Sequence, residues 1–246
     1  MSTTAPETGS PADAQAAAPR PPRPLVALIS ATPASIPPVT AAFADAFPDA
    51  VLWNILDDRL LPEAEARGGL TEDLQRRMGR LIEHAVGEGA DAVLLTCSLY
   101  GPVTATLRDG VDVPLLPPDG AVFDAVLRAG HRRVLLVASN PASRDDSRRR
   151  LLEQAAREGV SLDVDAVVVP GAVRPALAND EEGLVEALYS ALLPALGEHP
   201  GTEAVLLAQY SLAPAAPALA QALGIRVHSS PQAAAQALHD QLTADR

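Results

Sequence analysis

The sequence predicts an α/β protein assembled from eight strand-helix units in two repeats, and three observations carry that reading. Short runs of Val, Leu, Ile and Ala, suited to strands buried on both faces, recur along the chain, each followed by a polar turn and a helical stretch. Asp91–Pro102, DAVLLTCSLYGP, returns as Glu203–Pro214, EAVLLAQYSLAP, at an offset of 112 residues (97 to 209), which sets Cys97 opposite Gln209. Leu25–Ser35, LVALISATPAS, returns as RVLLVASNPAS at an offset of 108 residues (25 to 133), which sets Ser30, Thr32 and Pro33 opposite Ala138, Asn140 and Pro141.

Residues 1–24 are rich in Ala, Pro, Thr and Ser, lack an apolar core and are expected to form a disordered tail, neither signal peptide nor membrane span. Leu25–Ile29 follows as a buried strand ending in Ser30-Ala31-Thr32-Pro33, and Pro37-Pro38 opens a helix to about Phe47. The strand Ala50–Leu56 runs out into Asp57-Asp58 and a loop containing Gly68-Gly69. Thr71 is placed to cap a long helix with Leu74, Met78, Leu81, Ile82 and Ala85 on one face, closed by Gly87–Gly89. The strand Asp91–Leu95 delivers the Thr96-Cys97-Ser98 turn. A short helix after Pro102, the strand Val113–Leu116 and a helix around Val122–Arg128 complete the first half.

The second half starts over with the strand Val134–Val137, a charged helix from about Arg144 to Glu158 and the strand Leu162–Val169. A Pro/Gly/Ala loop leads to a helix from about Glu181 that Pro194 should kink or end. The strand Ala204–Ala208 delivers Gln209, a helix runs to Leu223, and the strand Ile225–His228 and helix Pro231–Leu242 finish the order. Eight such units fit either a closed barrel or two four-stranded doubly wound lobes facing across a cleft.

Composition narrows the chemistry. A net charge of −12 argues against nucleic-acid or anionic-membrane surfaces and suits a small soluble ligand. The chain has no lysine, which excludes a pyridoxal phosphate Schiff base, a lysine aldolase and a Walker A loop. The single cysteine, Cys97, excludes an internal disulfide and is compatible with a reducing, cytoplasmic compartment. The turns after the first strands lack G-x-G-x-x-G, and no two histidines stand at metal-ligand spacing, so neither a dinucleotide, a metal nor another cofactor is expected. A homo-oligomer is compatible with this composition.

Cys97 is the leading candidate for chemistry. It lies between a buried strand and Gly101-Pro102, where a helix can open and turn its N-terminal amides toward the sulfur, which would favour thiolate. Ser30, Thr32, Thr96, Ser98, Tyr100, Ser139, Asn140, Tyr210 and Ser211 form a ring of polar groups at successive strand ends, suited to holding a carboxylate or enolate oxygen. Each of these residues is also an ordinary turn or cap residue, and only the set points to a site. Asp57, Asp58 and His228 stand at other strand ends. Arg148-Arg149-Arg150 reads as a solvated helix face.

A strand-end cysteine in duplicated lobes, with hydroxyl-rich turns after the first strands, resembles the aspartate/glutamate/hydantoin racemase superfamily from about Leu25 onward. The Thr96-Cys97-Ser98 triplet is similar to its first-lobe motif. The resemblance implies two pseudo-two-fold-related doubly wound lobes, each with a mostly parallel four-stranded sheet, and an active site in the cleft between them. Lobe one would comprise residues 25–118 plus 229–246 and lobe two residues 119–228, with the last helix packed on lobe one. It also implies a cofactor-independent enzyme that moves a proton at the carbon beside a carboxylate of a small acid. In such racemases one thiolate removes the α-proton and an opposed thiol returns one. Here the opposed position is Gln209, which does not exchange protons at neutral pH. The expected activity is therefore one-sided proton transfer or addition by Cys97, as an isomerase or a decarboxylase. The alternative is a small-carboxylate binding or sensing protein that has lost the second cysteine. Sulfatase chemistry is excluded, since Leu99 and Gly101 occupy the Pro and Arg positions of C-x-P-x-R.

Overall fold

In the computed structural model, which describes residues 23–244, the apolar runs become the middle strands of two all-parallel sheets. The elements in order are β1 (Leu25–Ser30), α1 (Ile36–Ala46), β2 (Val51–Leu56), α2 (Leu60–Ala66), α3 (Glu72–Gly87), β3 (Ala92–Leu95), α4 (Gly101–Leu107), β4 (Leu115–Leu116) and α5 (Gly120–Arg128). They continue with β5 (Arg133–Ala138), α6 (Pro141–Arg157), β6 (Asp163–Val168), α7 (Val173–Ala178), α8 (Glu181–Glu198), β7 (Ala204–Leu207), α9 (Ala216–Leu223), β8 (Arg226–Ser229) and α10 (Ser230–Thr243).

The sheets have orders β2-β1-β3-β4 and β6-β5-β7-β8, the same winding twice. Strands β3 and β7 are buried along their whole length and β1 and β5 along all but their first residue, so they tolerate no polar alternation. The edge strand β2 mixes exposed and half-buried residues instead and buries none fully. The architecture is thus the two-lobed one and not a barrel. The duplication is physical as well as textual: Leu28 pairs with Leu94 in one sheet, and Leu136 with Leu206 in the other.

Helix α10 lays Ala234, Ala235 and Leu238 into a core with Val26, Leu28, Val39 and Phe43, so the chain's last helix packs on the first sheet. Tyr210, from the second half, enters the same core and ties the two sheets together.

Several local expectations change. Helix α2 forms where a plain loop was expected, because burial of Leu60 and Ala64 organises a short seven-residue amphipathic helix after β2. Helix α7 likewise replaces part of the Pro/Gly/Ala loop. Pro194 does not end α8, which runs on to Glu198, as Leu188, Leu192 and Ala195 stay packed in the core and outweigh one missing backbone bond. Thr71 sits at the N-cap of α3 but its hydroxyl turns to Asp73 instead of the backbone. Arg148 and Arg149 are exposed, whereas Arg150 is largely buried in a two-pronged pair with buried Asp119.

Candidate active site

In a doubly wound sheet a crevice opens beyond the carboxyl ends of the strands where the winding reverses. With these strand orders that point lies between β1 and β3 in one sheet and between β5 and β7 in the other. The turns leaving all four strands line one cavity of about 780 Å³: Thr32–Ser35 after β1, Thr96–Leu99 after β3, Ser139–Ser143 after β5 and Gln209–Leu212 after β7. Cys97 and Gln209, paired by the repeat, both face this cavity. A cleft of about 960 Å³ beside α4 and α6 is larger, but ion-paired Arg and acidic side chains line much of it and no thiol does.

Cys97 is half-buried at the N-cap of the Ser98–Tyr100 turn, where the Tyr100 amide donates to the Cys97 carbonyl at 3.0 Å and the nearby Leu99 and Tyr100 amides act to lower the thiol's pKa. These amides favour thiolate, as the sequence suggested, but they lose. Burial pushes the thiol up to about 11, and the Asp119 and Glu65 carboxylates push the same way. The local preference for thiolate that the sequence suggests is thus opposed by burial and by the neighbouring carboxylates. Gln209 presents its carboxamide at the matching position, with Oε1 accepting from the Ser139 amide at 2.6 Å.

The hydroxyl ring separates into two groups. Ser30 and Thr96 are buried and bonded to each other at 2.8 Å, and Ser35 joins Thr96 at 2.9 Å. This knot clamps β1 to β3 at the cavity floor, where Ser35 and Thr96 line the cavity and Ser30 does not reach it. Tyr100 is also removed from it, because its hydroxyl donates to Leu60 O at 2.8 Å and holds α2 against the turn. Ser98 lines the cavity but spends its hydroxyl on Ala208 O at 3.0 Å, a bond from one lobe to the other. Asn140 caps α6 through Ser143 N. Tyr210 borders the cavity, yet its hydroxyl is buried with no partner among the described residues. Thr32, Ser139 and Ser211 line the cavity with hydroxyls that no other described side chain engages.

Of the remaining candidates, Asp58 faces the cavity and Asp57 does not, being drawn away by Arg77 at 2.7 Å. His228 lies away from the cavity, its Nε2 at 3.1 Å from His131 Nε2. Among the described residues no group of three His, Cys, Asp or Glu is placed to hold a metal ion, and no helix is long and apolar enough to cross a membrane.

Sequence reasoning missed Glu65, Ser35, Ser143 and the apolar wall of Leu61, Val173 and Leu177. Ser35 and Ser143 were detectable, because they end the two copies of the Pro-Ala-Ser repeat. Glu65 and Leu177 left no signal, since each reaches the cavity only through a helix that the composition disguised as loop.

Two doubly wound α/β halves related by an internal repeat, with their strand-end turns lining one cavity, define the class of the fold. The sequence pattern of the Asp/Glu/hydantoin racemase family matches residues 12–238, and the chain belongs to that family. Solved structures agree at the level of fold. A glutamate racemase from Bacillus anthracis superposes with a TM-score of 0.69 at 14% identity, covering 91% of this chain and 83% of that one. An aspartate racemase from Picrophilus torridus gives 0.65 at 15% identity over 89% of this chain and 94% of its own. An allantoin racemase from Klebsiella pneumoniae gives 0.65 at 19% identity over 90% and 88%. No curated relative matches the chain by sequence.

Proposed function

We propose that this protein is a cofactor-independent isomerase or decarboxylase of the racemase family in which the Cys97 thiol delivers or exchanges a proton on one face of the carbon beside a carboxylate. The observation that carries the reading is the unequal pair at the cavity, a thiol at Cys97 and a non-titrating carboxamide at Gln209. A two-base racemase needs one basic and one acidic group at the reacting carbon. This cavity offers one thiol, and at pH 7 a thiol of pKa about 11 is ionised in roughly one molecule in 10⁴. Such a group is a ready proton donor to a carbanion, whereas its service as a base needs a substrate whose binding favours the thiolate.

The oxygens of the substrate would meet the hydroxyls of Thr32, Ser139, Ser143 and Ser211, beside the N-terminus of the 17-residue helix α6, whose Ser143 amide is already capped by Asn140. The same reading divides the chain into lobe one, residues 25–118 with 229–246, and lobe two, residues 119–228. The test is proton NMR in deuterium oxide over a panel of carboxylic acids. Deuterium appearing at the α-carbon with wild type and not with Cys97→Ser supports the proposal, and no exchange or turnover of any acid overturns it.

A second reading, a binding or sensing protein without turnover, is favoured by the raised thiol and by the commitment of Gln209 Oε1 to the Ser139 amide. Ligands that bind and are recovered unchanged, with no deuterium incorporated, would select it.

A further inference from the structure

The cavity that holds Cys97 is unusual in its charge. Among the described residues lining it there is no Arg or His, the chain has no lysine, and the charged side chains present are Asp58 and Glu65. Glu65 is close enough for its charge to act on the thiol itself. The same cavity has apolar lining: Leu61, one helical turn before Glu65 on α2, Leu99 beside the thiol, and Val173 and Leu177 from α7. Leu177 is 59% exposed and Val173 41% exposed, among the most exposed large apolar side chains in the described residues, and both face the reacting cavity. Pockets of this kind take an apolar body on their walls and orient it with a few polar groups.

We infer that the ligand of this cavity is an acid with a single carboxylate and an apolar substituent, the carboxylate on the Thr32, Ser139 and Ser143 hydroxyls and the substituent against Leu61, Val173 and Leu177. The inference rests on the reading of the Cys97 cavity as the catalytic site. Three neutral hydroxyl donors are enough for one carboxylate. A second carboxylate has no cation to meet and would approach Asp58 or Glu65, a like-charge contact that selects against it. An apolar substituent instead covers Leu177 and Val173, which otherwise stand in water. Dicarboxylates such as aspartate, glutamate and succinate are therefore rejected, and with them the malonate-type substrate that decarboxylation beside a remaining carboxylate needs, so the inference selects the isomerase branch of the proposed function.

The experiment follows alkylation of Cys97 by iodoacetamide, a neutral reagent, at alkaline pH in the presence of competing acids. In wild type, 3-phenylpropionate and 4-methylpentanoate should protect the thiol at concentrations at least tenfold lower than succinate, aspartate or glutamate. Leu177→Arg, at an exposed position where folding is not at stake, should reverse the order by giving a second carboxylate its cation. Glu65→Gln should narrow the gap from the other side. Dicarboxylates protecting as well as or better than the apolar acids in wild type would overturn the inference, as would protection by neither class. Because protection needs no turnover, it is separable from the catalytic proposal: protection in the expected order without α-carbon exchange removes the catalysis and leaves the ligand class standing.

Discussion

The side-chain oxygen of Gln209 accepts the backbone amide of Ser139 at 2.6 Å, and this bond fixes the carboxamide at the strand end that the internal repeat matches to Cys97. It joins the turns after β5 and β7, as the Ser30, Thr96 and Ser35 hydroxyls join the turns after β1 and β3. The two lobes thus solve the same closure with different chemistry, and only the first retains a thiol at its centre.

Gln209→Cys should add a second proton-exchanging group to the cavity and create measurable racemisation of a chiral substrate or product that wild type handles on one face. The replaced bond leaves the Ser139 amide without its acceptor, a loss of about 1–2 kcal/mol in stability. Chiral chromatography of the product and a denaturation curve read both effects. A variant that folds, keeps its exchange activity and still gives a single enantiomer would show that the two positions do not face one reacting carbon.

Cys97→Ser should lower turnover by about 10²-fold or more while leaving the melting temperature nearly unchanged, because it removes the proton donor and almost no volume. In wild type, the alkylation rate of Cys97 should climb with pH through about 11. At neutral pH it should be about 10²-fold slower than for a free thiol. A midpoint near 8 to 9 would mean that the Leu99 and Tyr100 amides outweigh burial after all.

Arg150→Ala should destabilise the fold by about 3–5 kcal/mol, since it strands the buried Asp119 carboxylate without its two-pronged partner. Arg150 Nη1 also lies 3.3 Å from where a side chain on Gly101 would begin, so Gly101→Ala should strain the same packing at the start of α4. Urea denaturation measures both, and a loss under 1 kcal/mol for Arg150→Ala would contradict the assignment of a buried pair.

Stability should fall as the pH is lowered from about 6.5 toward 4. His228 is buried, and burial, with the neighbouring His131 ring and the Arg226 guanidinium, lowers its pKa from 6.5 to about 4. The folded state therefore prefers the neutral ring. The unfolded chain binds a proton first as pH drops, so stability is intact above about 6.5 and is progressively lost down to about 4. Allowing for partial exposure to solvent, the loss amounts to about 2 kcal/mol. His228→Gln should flatten this part of the pH profile, while Glu203, which lies 3.9 Å from His131, remains in place in both proteins.

The sequence by itself determined the strand set, the duplication and the thiol. Runs such as Ala92–Leu95 and Ala204–Leu207 have only one stable use, in strands buried on both faces, and copying them twice places Cys97 and Gln209 at equivalent ends. Residue type could not reveal which hydroxyls are spent: Ser30, Ser98 and Tyr100 look as available as Thr32, Ser139 and Ser211. Only the tertiary structure shows that the first three are committed to Thr96, Ala208 O and Leu60 O. The state of the thiol was decided there too. Helix-end amides are local and legible in a sequence, whereas desolvation and the field of Asp119 and Glu65 come from elements far along the chain, and together those distant terms outweigh the local one.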